Sequence, residues 1–334
     1  MNKAALLLEE WRGTIAETEF WGHLVGVDSQ GAIRYQAGDP YYVTYLRSAA
    51  KPFQALPFFR RQLHKRYGLT MEEQAVLTAS HRGQPFHVEA LESLLRKLNL
   101  NEDQLVCGAT YPLHAPSHYQ LCHECREERR LYHNCSGKHL GLLAVCLAEG
   151  YALEGYEQVD HPLQREVLAA VSEMAGLPQE HIQLGIDGCG LPVFAMPLYN
   201  TAQAFLKLAR PELIGDPATS EAVRDLTAAM NGRPEWVSGT RLICPALLMD
   251  SNIVAKGGAK GIYCFALKRE GLAFAFKVLD GSEEKWPYLV ASILLQIGYP
   301  DENTIGRLLE LCPEEIRNSR GEIVGRHQAG FRLN

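Results

Sequence analysis

The chain has 334 residues, of which 46% are hydrophobic and 22% are charged, a composition that can bury a large core in one domain or in two lobes. This balance excludes a disordered chain, a collagen-like repeat and a small disulfide-stabilised scaffold. Thirty-three Lys and Arg residues against 39 Asp and Glu residues give a net charge of −6. Since this sign gives no general attraction to nucleic acid or to an anionic membrane, we expect a small-molecule partner.

The first residues do not have the pattern of a secretory signal. Five consecutive apolar residues, 4–8, precede two Glu residues, whereas a signal needs an apolar stretch of about 7–15 residues. The longest apolar stretches also fall short of the ~20 residues that would span a bilayer. The nine cysteines are an odd number. We therefore expect a cytoplasmic protein with reduced thiols, some of which could bind metal or react.

Hydrophobic periodicity predicts two hairpins that flank a helical middle region. The predicted elements are, in chain order, a hairpin at 23–27 and 32–35, helices at 88–98, 163–171 and 223–230, a hairpin at 262–267 and 272–278, and a helix at 288–297. A further strand-like stretch precedes Arg47.

This layout predicts an α/β fold of the α+β kind, with one antiparallel sheet and an inserted helical lobe. Strands from both ends of the chain would share the sheet. We place the sheet lobe at about residues 1–46 and 235–334 and the helical lobe at about 47–234, within a single catalytic domain. There is no strict β-α-β alternation and no Gly-x-Gly-x-x-Gly motif, which disfavours a dinucleotide-binding fold.

The first segment with chemical potential is Arg47-Ser48-Ala49-Ala50-Lys51-Pro52. If Ser48 begins a helix, Lys51 follows one turn later on the same face, where its amine can approach the hydroxyl. Burial lowers the pKa of a lysine, which can then act as the base that a serine nucleophile needs. The alternative is a plain N-cap serine, because Ser282 and Lys285 have the same spacing in a charged segment.

Two further segments carry small polar residues or glycine. Thr78-Ala79-Ser80-His81-Arg82-Gly83 interrupts an apolar stretch, and its alternative interpretation is a turn between helices. In Val254-Ala255-Lys256-Gly257-Gly258-Ala259, a lysine and two glycines precede a strand, as in the Lys-Thr-Gly element of Ser–Lys acyl enzymes. The glycines would let a substrate approach the backbone. The alternative is a surface lysine in a turn.

Cysteine and histidine are concentrated between residues 122 and 139, and Cys189 follows in a Gly-rich segment. Cys122-His123-Glu124-Cys125, followed by His and Cys, could be a structural zinc site, although the second spaced pair of a zinc finger is missing. Cys135 and Cys189 lie among glycines and small polar residues, and we predict accessible thiols at both positions.

Four motifs resemble those of the bacterial asparaginase II family, the thermolabile rhizobial-type L-asparaginases. The resemblance extends from about residue 15 to 325. The motifs are Arg47-Ser48-Ala49-Ala50-Lys51-Pro52-Phe53-Gln54-Ala55-Leu56-Pro57, His133-Asn134-Cys135-Ser136-Gly137-Lys138-His139, Asp187-Gly188-Cys189-Gly190-Leu191-Pro192 and Ala255-Lys256-Gly257-Gly258-Ala259. The resemblance implies a fold like that of serine β-lactamases and penicillin-binding proteins, a homodimer, and hydrolysis of L-asparagine to L-aspartate and ammonia.

The resemblance also implies the composition of the site. Two Ser–Lys tandems are expected, Ser48 with Lys51 and Ser80 with Lys256. A zinc ion is expected beside the pocket, where it need not activate water and would have a positional or regulatory role. Lysine is an unusual zinc ligand, because it must be neutral to coordinate. The implied zinc ligands are Cys135, Lys138 and Cys189. Cys122 and Cys125 lie outside the family motif.

The substrate zwitterion needs a cation for its carboxylate and an acceptor for its ammonium group. Arg47 and His139 are candidates for the first role and Asp187 for the second; structural salt bridges and loop hydrogen bonds are the alternatives. Two other functions remain open. The chain could be a β-lactamase-like or peptidase-type serine acyl hydrolase, or a catalytically degenerate, zinc-binding member of the family.

Overall fold

The computed structural model describes residues 4–333, which form strands and helices throughout. The strands are β1 (Ala5–Arg12), β2 (Ile15–Asp28), β3 (Ile33–Ala37), β4 (Val43–Tyr45), β5 (Gln183–Ile186), β6 (Pro192–Pro197), β7 (Ile253–Gly257), β8 (Ile262–Leu267), β9 (Leu272–Val278), β10 (Glu315–Arg317) and β11 (Ile323–Ala329). The α-helices are α1 (Lys51–Gln54), α2 (Leu56–Arg60), α3 (Leu63–Arg66), α4 (Met71–Val76), α5 (Pro85–Leu98), α6 (Ala115–His123), α7 (Ser136–Glu149), α8 (Pro162–Ala175), α9 (Leu198–Ala209), α10 (Pro217–Gly232), α11 (Pro234–Val237), α12 (Ile243–Leu248), α13 (Trp286–Gln296) and α14 (Glu302–Leu311).

The chain divides into two compact units. The first contains the residues up to Ala49, Met196–Ala209 and the residues from Arg241 onward. The second contains Ala50–Ala195 and Arg210–Thr240. Across residues 4–333, no helix combines the length and the apolar character that crossing a membrane requires.

The first unit is built on one antiparallel sheet of eight strands. Seven strands pair in the order β10-β11-β1-β2-β9-β8-β7, and β3 pairs with β2. Strands from both ends of the chain are therefore neighbours, which confirms the predicted sheet. Both predicted hairpins are also confirmed, since β2 pairs with β3 and β8 pairs with β9 in antiparallel register. The fold class is α+β, as the sequence predicted.

The core of the first unit lies along the central strands. All six residues of β8 are buried, the pattern of a strand that is covered on both faces. Helix α9 packs against β2, β8 and β9. Phe265 of β8 lies opposite Phe274 of β9, and their rings stack with centroids 5.0 Å apart. Aromatic pairs of this kind contribute about 0.5–1.5 kcal/mol beyond the burial of their area.

The second unit is mainly helical. Helices α5, α8 and α10 cover the three predicted helical segments, which are confirmed. Helix α7 lies at the centre and packs against α1, α2, α5 and α8. Because it is buried on nearly all sides, it lacks the amphipathic period by which the other helices were predicted.

Two turns of the second unit position its polar residues. Helix α7 begins after Cys135, and Gly137 lies in its first turn. Gly137 is so close to the carbonyl group of Val76, at the end of α4, that a β-carbon would not fit at this position. Strands β5 and β6 form an antiparallel hairpin, and the turn between them contains Asp187 and Cys189. The turn closes with hydrogen bonds from Asp187 N to Leu191 O and from Gly190 N to Asp187 O.

Candidate active site

Ser48 lies where β4 leads into α1. A 3-10 turn, Arg47–Ala50, connects the two elements, and Ser48 is 9% exposed. The N-cap residue of α1 is Ala50, with no side-chain cap, so Ser48 does not have the plain capping role that was its alternative. Arg47 has a left-handed φ of 50°, a conformation that costs an L-residue about 1–2 kcal/mol. Such strained positions cluster at functional sites, which supports a functional role for this turn.

Lys51, the first residue of α1, is completely buried, and its contacts in the second unit fix the direction of its nitrogen. The Nζ atom donates to Ala79 O at 2.6 Å and to Asn134 O at 3.1 Å. Its third contact is Ser80 Oγ, also at 3.1 Å. The two carbonyl oxygens can only accept, so they take two N–H groups. The remaining tetrahedral position faces the Ser80 hydroxyl, whose proton the lone pair of a neutral amine can accept.

Burial lowers the pKa of Lys51, because the charged form loses its hydration. The nearby Cys135 acts in the opposite direction, and the positive charge of Lys138 lowers the pKa further. The net direction is toward the neutral amine, the form in which Lys51 can serve as a base.

Ser80 lies in the turn between α4 and α5, and the second unit holds this turn at several points. The Ser80 amide donates to Val237 O at 2.9 Å. The next residue, His81, is fully buried; its Nδ1 accepts from Gly83 N at 3.1 Å and its Nε2 contacts Ser136 Oγ at 2.8 Å. Because Nδ1 accepts, Nε2 carries the proton and donates. His81 therefore ties the Ser80 turn to the first turn of α7, a role that the sequence analysis did not assign.

Lys256 is buried on β7 in the first unit and is 1% exposed, so its alternative interpretation as a surface lysine is wrong. Its Nζ donates to Gly257 O at 2.9 Å. A β-carbon on Gly258 would lie 2.6 Å from Leu46 O, so this glycine admits the protein backbone two residues before Ser48. The pairing of Lys256 with Ser80, like that of Ser48 with Lys51, remains a prediction, since each pair joins residues of different units.

The second unit brings the three implied zinc ligands together. Cys135 immediately precedes α7, Lys138 lies in its first turn, and Cys189 lies in the β5–β6 turn. Lys138 Nζ donates to Cys189 Sγ at 3.2 Å, and the two thiols share a hydrogen bond. All three side chains are buried, with exposures of 3–4%. The prediction of accessible thiols at Cys135 and Cys189 is therefore wrong.

The charges in this cluster are strongly coupled. The hydrogen bond from Cys189 stabilises the thiolate form of Cys135 and holds its pKa well below the usual value, with help from the neighbouring amines, chiefly the ammonium group of Lys138. The pKa of Cys189 is raised, because it retains the shared proton and is buried. Burial alone would lower the pKa of Lys138, but Cys189, Cys135 and Asp187 together raise it. The environment thus favours the thiolate form at Cys135 and the ammonium form at Lys138.

The chemistry of these donors fits zinc, since thiolate sulfur and neutral nitrogen are ligands that zinc accepts. Binding would require Cys189 and Lys138 to give up their protons. Among residues 4–333, no group of three or more His, Cys, Asp or Glu side chains is placed to hold a metal ion, so the lysine nitrogen is needed as a third donor. The same finding leaves Cys122 and Cys125 without a third ligand of these types.

The three residues predicted to bind substrate have different surroundings. Arg47 and Asp187 are half-buried, and Asp187 Oδ1 accepts a hydrogen bond from Gly188 N at 2.8 Å. His139 is fully buried, and burial holds its pKa well below the usual value. The neutral imidazole can offer an N–H group to a substrate carboxylate, but no charge.

Tyr156 determines which nitrogen of His139 carries the proton. Its Oη accepts from Val106 N at 3.1 Å and contacts His139 Nδ1 at 2.6 Å. Among residues 4–333, Nδ1 is the one acceptor that the hydroxyl proton contacts, so the hydroxyl donates to it and the ring proton lies on Nε2. Within the same residues Nε2 has no hydrogen-bond partner. Tyr156 follows a short Gly-containing turn, and no feature of the sequence pointed to it.

The model of the L-asparaginase II family matches residues 8–329 of the chain. Similar solved structures include a β-lactamase from Mycobacterium bovis, with 13% identity, coverage of 82% of this chain and 94% of that chain, and a TM-score of 0.42. They also include the unliganded simvastatin synthase of Aspergillus terreus, with 15% identity, coverage of 86% and 92%, and a TM-score of 0.38. Both scores are below 0.5, and the fold class given above follows from the strands and helices of this chain. None of the curated proteins compared with the chain matched it.

Proposed function

Because the chain belongs to the L-asparaginase II family, we propose that it hydrolyses the side-chain amide of L-asparagine to L-aspartate and ammonia. The observation that carries the chemistry is the buried amine of Lys51, which two carbonyl oxygens direct toward the hydroxyl of Ser80. A Ser hydroxyl is a weak nucleophile or proton donor unless such a base adjoins it.

In the proposed reaction, Ser48 Oγ attacks the amide carbon while its proton passes to Lys51 by way of Ser80 Oγ, which the lone pair of Lys51 faces. The C–N bond of the tetrahedral intermediate then breaks, and Lys51 delivers the proton through Ser80 Oγ to the departing nitrogen. Ammonia leaves, and an aspartyl ester remains on Ser48. Water attacks this ester while the same groups take its proton, and L-aspartate is released. The strained turn at Arg47 supports Ser48 as the attacking residue, and the contact between Lys51 and Ser80 supports the proton route.

The other side chains have supporting roles in this proposal. Lys256 is the second buried amine and would share the proton with Ser80. Arg47 and the Nε2–H group of His139 would bind the substrate carboxylate, and Asp187 its ammonium group. Zinc, when bound by Cys135, Lys138 and Cys189, would supply fixed positive charge and hold the first turn of α7 against the β5–β6 turn. We also propose that the protein acts as a cytoplasmic homodimer, as the family resemblance implies.

The test is ammonia release from L-asparagine by the wild-type protein and by Ser48→Ala, Ser80→Ala and Lys51→Met. We expect each variant to lose about 10²–10⁴-fold in kcat, the contribution of a positioned acid or base, while its thermal unfolding remains cooperative. Ser282→Ala is the matched control, because it has the same spacing to a lysine in a charged, partly exposed segment, and we expect no change.

Two results would overturn the proposal. Near-normal ammonia release by both Ser48→Ala and Ser80→Ala would exclude the Ser–Lys mechanism. If the wild-type protein leaves asparagine intact, the proposed activity is excluded. Turnover of the β-lactam nitrocefin would then indicate a β-lactamase-like hydrolase. Stoichiometric metal binding without any amidase activity would indicate a catalytically degenerate family member.

A further inference from the structure

The turn that follows α6 carries two exposed thiols that the proposed reaction does not use. Cys122 lies in the last turn of α6 and Cys125 lies just beyond its end. Both are exposed free cysteines, whereas every other cysteine of the chain is buried. No residue of α6 is buried, so the thiols lie on a helix that contributes nothing to the core.

The backbone at this turn has the geometry of a Schellman motif. Arg126 N donates to Leu121 O at 2.9 Å, and Cys125 N donates to Cys122 O at 3.1 Å. Cys125 occupies the position where such a motif has its left-handed residue, with a φ of 51°. Glycine is preferred there because it has no β-carbon. A cysteine at this position therefore imposes strain that a glycine would avoid, and strain of this kind points to a role for the side chain.

The same turn brings the two cysteines within disulfide range. The hydrogen bond from Cys125 N to Cys122 O is that of a tight turn. In such a turn, the Cα atoms of the first and fourth residues lie less than about 7 Å apart. A disulfide needs Cα atoms about 4.4–6.8 Å apart. A metal site is less well supported, because no third His, Cys, Asp or Glu ligand joins the pair within the described part of the chain.

Contacts between residues 110–111 and residues 126–129 connect the two ends of the segment that contains α6. Thr110 and Arg129 form an isolated antiparallel bridge, and the Tyr111 hydroxyl donates to Arg126 O at 3.0 Å. At the other end of α6, His114 N donates to Arg82 O at 2.8 Å, two residues after Ser80. The thiols therefore lie at the C-terminal end of α6, and the N-terminal end of the same helix adjoins the Ser80 turn.

We propose that Cys122 and Cys125 form a reversible disulfide by exchange with a low-molecular-weight disulfide. One thiolate attacks a sulfur of the small disulfide, which forms a mixed disulfide and releases one small thiol. The second cysteine then attacks the protein sulfur of the mixed disulfide and releases the second small thiol. The protein dithiol is oxidised by two electrons, the small disulfide is reduced, and the two protons leave with the released thiols.

The proposal predicts selectivity over the other cysteines. Cys107 precedes the pair in the same tryptic peptide, but it is fully buried, and burial raises its pKa to about 12. Cys135 and Cys189 are close to each other, but their exposures of 4% and 3% keep an oxidant away. Among the cysteines that the structure describes, only Cys122 and Cys125 combine proximity with access.

The test uses the full-length reduced protein in glutathione redox buffers of increasing oxidised fraction, followed by acid quenching, alkylation and tryptic digestion. Peptide 98–126 contains Cys107, Cys122 and Cys125 and no internal Lys or Arg. We expect this peptide to lose two hydrogen atoms, to carry a single alkyl group on Cys107, and to return to the triply alkylated form after reduction.

Cys125→Gly is the matched control, since it keeps the left-handed turn and removes one thiol. We expect this variant to form only a mixed disulfide with glutathione at Cys122. The proposal is overturned if Cys122 and Cys125 both remain alkylated in the most oxidising buffer. It is equally overturned if the disulfide links either residue to Cys107 or to a second chain, or if Cys135 and Cys189 are oxidised first. None of these outcomes depends on asparaginase activity.

Discussion

Gly137→Ala tests whether the first turn of α7 depends on close contact with α4. A β-carbon on Gly137 would overlap the carbonyl oxygen of Val76 and lie 2.9 Å from its carbonyl carbon. Non-bonded carbon atoms are at their optimum about 3.5–4.0 Å apart, so the overlap involves backbone that no rotamer change can relieve. Either α7 or the end of α4 must move.

Gly141→Ala is the matched substitution one turn later on α7. There the nearest atom to the new β-carbon is Leu77 Cδ2 at 3.3 Å, the end of a side chain that can shift. Both variants gain up to about 1 kcal/mol of helix propensity, so this contribution largely cancels in the comparison. Overpacking in a rigid core costs about 1–3 kcal/mol, and the backbone overlap places Gly137→Ala at the upper end. We expect Gly137→Ala to be less stable than Gly141→Ala by about 3 kcal/mol.

The assay is urea unfolding of the wild-type protein and both variants, with the midpoints compared at equal slope. Gly137→Ala should also lose ammonia release, because Cys135, Lys138 and His139 flank the displaced turn, whereas Gly141→Ala should retain it. If the two variants unfold at the same urea concentration, the close approach of α7 to α4 is not a constraint, and this account of the turn is refuted.

Three further predictions follow from individual side chains. Cys125→Gly should raise the free energy of unfolding of the reduced protein by about 1 kcal/mol, because glycine adopts the left-handed conformation of residue 125 without strain. Cys122→Ser, measured by the same urea titration, should leave this free energy unchanged. Burial lowers the pKa of His87 from about 6.5 to about 4, so the unfolded chain binds this proton before the folded protein does as the pH falls. The free energy of unfolding should therefore decrease by up to about 3 kcal/mol between pH 6.5 and pH 4, and His87→Gln should show a smaller decrease. An equal decrease in both proteins would contradict this. Addition of Zn²⁺ to metal-free protein at pH 7 should release protons, seen as a buffer-dependent calorimetric heat. Cys189→Ser or Lys138→Met should reduce that release, whereas binding without proton release would contradict the donor set.

The helices that the sequence predicted well are those buried on one face. Helices α5, α8 and α10 each leave a periodic pattern because one side faces solvent, whereas the hairpins β2–β3 and β8–β9 were recognisable from apolar stretches on either side of a polar, Gly-containing turn. Helix α7 leaves none, since eleven consecutive residues, from Ser136 to Cys146, are buried. The short helices α1 to α4 are also too brief to show a period.

The candidate site was predictable where its chemistry is local. The spacing of Ser48 and Lys51 identifies a possible tandem, but the three hydrogen-bond partners of Lys51 come from segments up to 83 residues away, which spacing cannot reveal. The thiols of Cys135 and Cys189 were predicted to be accessible from the small residues beside them. Small residues indicate freedom of the local backbone, whereas burial depends on tertiary contacts such as that of Lys138 with Cys189.

The central claim is that an aspartyl ester on the enzyme precedes L-aspartate, and competition between water and hydroxylamine tests it most directly. Both nucleophiles would react with the same ester, giving L-aspartate and L-aspartate β-hydroxamate. L-asparagine and L-aspartate β-methyl ester have different leaving groups but would form the same intermediate. The account predicts the same ratio of hydroxamate to aspartate from both substrates at every hydroxylamine concentration. A ratio that differs between the two substrates, or asparagine hydrolysis with no hydroxamate at all, would contradict it.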